Sequence, residues 1–147
     1  MKFLRIIVLT LIFLCPISNS FGAMTFSQKA EFADQPSGAG IVAGIEFNKD
    51  GTKIFISYAN KSGVHTINEY NLTIPYDVSS KVYAGDSERC VLTGTDGNTI
   101  YDLEISSDGM KLFVVSRRVK NNDQDGDKVY GYDLSSPYDI STCSLAS

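Results

Sequence analysis

The chain has 147 residues and a mass of 16.1 kDa, enough for one ordinary domain with a buried core. It is 43% hydrophobic and 20% charged, which excludes a wholly disordered chain. Lys and Arg number 13 against 17 Asp and Glu, for a net charge of −4, so there is no basic nucleic-acid footprint. The only histidine, His65, excludes a multi-histidine metal site.

In chain order, residues 1–22 read as a secretory signal peptide. Lys2 and Arg5 form its positive start, Ile6 to Cys15 its uncharged run, and Ser20 and Gly22 place small side chains before the cut. The run is too short to cross a hydrocarbon core. Leu14 before Cys15 argues against a lipid anchor. Cleavage leaves 11 basic and 17 acidic residues, a net charge of −6, and only Cys90 and Cys143 as thiols. In an oxidising periplasmic or extracellular compartment these two have one possible pairing, and two free thiols are the alternative. Residues 23–39 are expected to be a linker, with Thr25–Phe32 a candidate outer strand.

The rest of the chain repeats itself. Glu46, Asp50, Gly51, Lys53 and Phe55 recur as Glu104, Asp108, Gly109, Lys111 and Phe113, at an offset of 58. Tyr70, Leu72, Pro75, Tyr76, Asp77 and Ser79 recur as Tyr132, Leu134, Pro137, Tyr138, Asp139 and Ser141, at an offset of 62. The first repeat is assigned to residues 40–98 and the second to residues 99–147.

Each repeat predicts four short strands. The first are Val42–Asn48 and Ile100–Ser106, with apolar residues on alternate positions. Asp50-Gly51 and Asp108-Gly109 then make hairpin turns in which glycine accepts positive φ. The second strands, Lys53–Tyr58 and Lys111–Ser116, are continuous apolar runs that call for cover on both faces. Val64–Leu72 and Lys128–Leu134 follow, ended by Pro75 and Pro137, and the fourth strands are placed at Ser80–Ala84 and Ser141–Ala146. Outside the signal no stretch has a 3.6-residue period. The expected class is all-β, with two four-stranded antiparallel units of propeller-blade type after the signal peptide.

The FNKDGTKIF and ISSDGMKLF segments, each followed by a Tyr-x-Leu-x-x-Pro-Tyr-Asp block, resemble repeats of bacterial exported β-propellers of the lactonase-like and TolB-like families. That resemblance implies a partial propeller with two blades, whose outer faces and edges both lack neighbours. Self-association or another propeller segment is the implied partner, with no nucleic acid and no membrane span in the mature chain. A binding or assembly module without catalytic activity is the first reading, and a fragment of a longer propeller is compatible with it. The alternatives are a lactonase-like hydrolase holding a divalent metal and a sugar-binding propeller assembled from two-blade chains. For the sugar binder, Tyr would have to replace the absent Trp.

Several residues are candidates for chemistry. Asn121, Asp123, Asp125 and Asp127 fall in a tract resembling the opening of a Ca2+ loop, with Gly126 at its sixth position. Position twelve is Tyr132 rather than an acid, and Arg117, Arg118 and Lys120 make a self-neutralised hairpin tip the competing reading. On the family resemblance, Glu46 and Glu104 would point into the channel and hold a cation. They also read as structural acids repeated with the fold. Asp77 and Asp139 read as turn caps. His65 reads as a solvent-facing loop residue. No Gly-x-Ser-x-Gly elbow and no phosphate loop is present, so no catalytic residue is assigned.

Overall fold

The computed structural model describes residues 27–32, 41–60, 63–95, 99–117 and 127–147. The described chain is all-β, in two antiparallel sheets, one per repeat. The first sheet has β1 (Ile41–Phe47), β2 (Lys53–Ala59), β3 (His65–Leu72) and β4 (Lys81–Tyr83) in order, and β5 (Cys90–Leu92) also pairs with β3. The second runs β6 (Thr99–Ile105), β7 (Lys111–Arg117), β8 (Lys128–Asp133) and β9 (Ser144–Leu145).

Three sequence expectations are corrected. The fourth strands are shorter than expected, because 3-10 turns at Val78–Ser80 and Ile140–Thr142 take up their first residues. Residues 27–32 form no strand. The first sheet also gains β5, which the sequence reading missed.

The two sheets share backbone detail at positions 58 residues apart. β1 and β2 slip register between Val42 and Gly44, and β6 and β7 slip between Ile100 and Asp102. These are β-bulges at corresponding positions, and a bulge twists its strand and re-aims its side chains. Gly51 and Gly109 take φ of 71° and 74° at the two hairpin tips, as the Asp-Gly pairs predict.

The sheets stack face to face. Phe55, Ile67 and Ala59 of the first sheet, joined by Cys90 and Leu92 of β5, meet Leu103, Ile105, Leu112, Val114 and Tyr132 of the second. At roughly 25 cal/mol per Å² of apolar surface, this layer is the main force holding the sheets together. Two specific links reinforce it. Cys90 and Cys143 form a disulfide between the sheets, with Cα atoms 5.8 Å apart. The Tyr132 hydroxyl donates to the Thr93 carbonyl at 2.8 Å, and burial pushes its pKa up to about 12.

The outer faces differ, against the expectation that both lie open. On the first sheet Ile54, Ile56, Tyr58 and Tyr70 are all buried. Phe32 packs edge-on against Tyr70 at 5.1 Å, Gln28 accepts from the Val78 amide at 3.0 Å, and the Lys81 ammonium lies 5.1 Å from the Phe32 ring centre. The N-terminal segment is therefore a cap. On the second sheet the outer side, the one that carries Phe113, is uncovered. Phe55 is 0% exposed, whereas its repeat partner Phe113 is 40% exposed, beside Val115 and Val129.

Candidate functional site: the trough at the β1–β6 seam

The first strands of the two sheets run side by side, and a glycine sets how closely. A Cβ at Gly44 would sit 2.9 Å from the Cα and Oδ1 of Asp102 and from the Leu103 nitrogen, closer than side chains pack. Only a residue without one lets β6 come this near.

Along this seam runs a trough of about 520 Å³. Ile45 and Glu46 form one wall, Asp102 and Glu104 the other, and Phe113, Val115 and Val129 continue it onto the open face of the second sheet. Alternation along the strands explains the placement. Glu46 pairs across with Phe55 and so lies on the face turned toward the second sheet, while Glu104 pairs with Phe113 and lies on the open face. The structure thus brings the two acids proposed for a channel to one seam and adds Asp102, which sequence reasoning missed. Its position is the bulge equivalent of Gly44, and that equivalence was the available signal.

Burial pushes the Glu46 carboxyl above the usual carboxylate range, its backbone hydrogen bond at Phe47 pulls it back, and the charges of Glu104 and Asp102 push it further up. Glu69, buried on the same face of the first sheet, is also raised by burial. The ion pair with Lys53 at 2.7 Å opposes that rise. In contrast, Asp50 and Asp108 at the hairpin tips are lowered. Asp50 is held down chiefly by hydrogen bonds from Thr52, and Asp108 by those from Ser106 and the Met110 amide.

The sign of the pH effect follows from these directions. A carboxyl raised on folding binds its proton more readily in the native state, so stability rises as pH falls through the raised value to the ordinary one near 4.5. Below about 3.8 the lowered Asp50 and Asp108 reverse the trend. The melting temperature is expected to peak in mildly acidic buffer, and Glu46→Gln with Glu69→Gln should flatten the rise between pH 7 and the peak. A melting temperature that falls steadily from pH 7 downward would contradict this assignment.

The other candidates fall as follows. Asn121, Asp123 and Asp125 lie outside the described residues. Asp127 is exposed, with its carboxylate 3.9 Å from the Arg117 guanidinium. Among the described residues no three His, Cys, Asp or Glu side chains converge on a metal position. The Asp77 carboxylate accepts from the Ser79 amide at 2.9 Å and the Ser79 hydroxyl at 2.6 Å, so it is a cap. Asp139 accepts from the Ser141 hydroxyl at 2.6 Å.

His65 is not solvent-facing. It is 2% exposed, its Nδ1 accepts from the Asn60 amide at 3.0 Å, and its strand position pairs with Leu92 of β5. The extra strand buries it. No helix among the described residues is long and apolar enough to cross a membrane.

Neither family models nor curated proteins nor solved structures match this chain.

Proposed function

We propose that the chain is an exported, propeller-type assembly module that docks a partner through the open face of its second sheet and carries no catalytic centre of its own. One observation carries the reading. Phe55 and Phe113 are the same position of the repeat, yet the first is sealed beneath a neighbouring sheet and the second is exposed. A repeat that presents the same aromatic on the same face has a surface suited to a neighbour, and an exposed patch of this kind marks an interaction site. The blade-like stacking, with first strands adjacent at the seam, supports the propeller relation. The disulfide between the sheets fits an oxidising compartment.

A photo-crosslinking residue at Val115 tests the docking role. It should trap a protein in the exported compartment, whereas the same residue at exposed Ile74, in the turn after β3 of the first sheet, should not. Crosslinks from neither position, or equally from both, would overturn the reading. Export is tested separately by the mass of the mature chain, whose first residue is expected between about residues 19 and 25. A retained Met1 would remove that part.

A further inference from the structure

We infer that the outer edge of β8 at Val129 is a docking site for an extended segment of another polypeptide, taken up as an antiparallel strand. The site is a sheet edge, and it holds whatever covers the face of that sheet.

The first repeat supplies the template. Both halves of the outer edge of β3 are paired, Tyr70 to Leu72 by β4 and His65 to Ile67 by β5. On β8 only one half is paired. β9 lies beside Tyr132 and Asp133, and among the described residues no strand lies beside Lys128 and Val129 on that edge. At the offset of 62 these two are the counterparts of Thr66 and Ile67. The consequence is visible in burial, since Ile67 is 0% exposed and Val129 is 65% exposed.

The backbone at this edge is arranged for a strand. The Ala146 amide donates to the Gly131 carbonyl at 2.9 Å, as the Ala84 amide donates to the Glu69 carbonyl at 3.0 Å. Backbone groups alternate between the two edges of a strand. The N–H and C=O of Val129, two residues before Gly131, therefore point outward, and those of Lys128 point to β7. Natural sheets commonly blunt an open edge with a bulge or a proline. β8 has neither, and it pairs with β7 from Lys128 to Asp133 without a register shift.

The residues along the edge select the segment. In the template, Cys90, Val91 and Leu92 stand opposite Ile67, Thr66 and His65. A segment on β8 in the same register stands opposite Val129, Lys128 and Asp127 in turn. Directly opposite residues share a face and interact, and opposite charges there are stabilising. Val129 pairs with Val115 on the open face, so the first position takes an aliphatic residue. The second takes a carboxylate against Lys128, and the third takes a hydroxyl or ammonium group against Asp127. Read from N to C, the recognised pattern is aliphatic, acidic, then Thr or Lys.

The test adds the capped peptide Ser-Thr-Ile-Glu-Lys-Thr-Ser to the full chain at up to about 5 mM, with amide shifts and exchange read by NMR. At about ten times the dissociation constant, exchange of the Val129 amide should slow roughly tenfold by mass action, with β2 unchanged. The same peptide with its isoleucine N-methylated keeps every side chain and loses one backbone donor, and it should have no effect. Val129→Pro removes the outward donor of the protein and leaves the bonds to β7, a placement that proline tolerates at an edge. In that variant the peptide-induced shifts at Lys128 and Gly131 should vanish. Lys128→Glu should reverse the charge preference, taking the peptide with lysine in place of glutamate.

No slowing at the highest concentration, or equal slowing with the N-methylated peptide, would overturn the inference. Shifts confined to β1 or β4 would place the peptide on another edge and overturn it as well. If Val129→Pro does not fold, the N-methylated peptide and the Lys128→Glu reversal decide the matter.

Discussion

Reducing the Cys90–Cys143 bridge, or replacing both cysteines by alanine, is expected to lower the melting temperature by on the order of 15 °C. The two residues are 53 positions apart. In the chain-entropy account, closing a loop of that length removes about 4 kcal/mol of freedom from the unfolded chain. For a domain of this size each kcal/mol shifts the midpoint by roughly 3–5 °C. The bridge also ties β5 in the first sheet to the turn before β9 in the second, so its loss should act on the contact between sheets before it acts within either. Amide exchange should accelerate first at Cys90–Leu92 and Ile140–Leu145, while β2 and β7 stay protected. A shift under about 3 °C would mean that the apolar layer around Phe55, Leu112 and Val114 holds the sheets without covalent help.

Most of the strands were legible because their signals are local. Apolar alternation, a continuous apolar run, an Asp-Gly turn and a proline stop each occupy a few neighbouring residues, and here each occurred twice. The features that were not legible depend on distant residues. β5 has three residues and no period, and it exists because β3 offers an unpaired edge at His65, Thr66 and Ile67. His65 looked like a loop residue for the same reason, since the strand that buries it was unseen.

The two outer faces could not be told apart from sequence. Ile54-Phe55-Ile56 and Leu112-Phe113-Val114 are equally apolar, yet only the first run has both faces covered. That difference comes from Phe32, an isolated aromatic in a stretch without pattern. At the candidate site, Glu46 and Glu104 were found through recurrence. Asp102 was hidden because it breaks the recurrence at Gly44, and the break acquires meaning only once β1 and β6 are seen side by side.

Gly109→Ala is expected to destabilise the chain by on the order of 3 kcal/mol, and Gly51→Ala by a similar amount. Each glycine sits in the left-handed region, where an alanine costs about 1–2 kcal/mol. Each also lies under an aromatic ring. A Cβ at Gly51 would come within 2.4 Å of the Tyr76 ring, and one at Gly109 within 2.5 Å of the Tyr138 ring. The ring cannot swing away cheaply, because it is held at both ends. The Tyr76 amide donates to the Gly51 carbonyl at 2.9 Å and its hydroxyl to the Lys49 carbonyl at 2.8 Å. Tyr138 repeats this, donating to the Gly109 carbonyl at 2.9 Å and the Ser107 carbonyl at 3.1 Å. Both tyrosines themselves adopt positive φ, 60° and 57°, a strained conformation that persists only where surrounding contacts enforce it.

This latch explains why the Asp-Gly turn and the Pro-Tyr-Asp block recur together, since the two motifs touch in each repeat. Tyr138→Phe should therefore cost only about 1 kcal/mol, the net value of one hydrogen bond, while Tyr138→Ala should approach the glycine variant. Removing the ring also removes the obstacle, so Gly109→Ala combined with Tyr138→Ala should cost clearly less than the sum of the two single losses in a double-mutant cycle. Additive losses would show that the backbone conformation of Gly109 alone, and not the ring above it, sets the requirement.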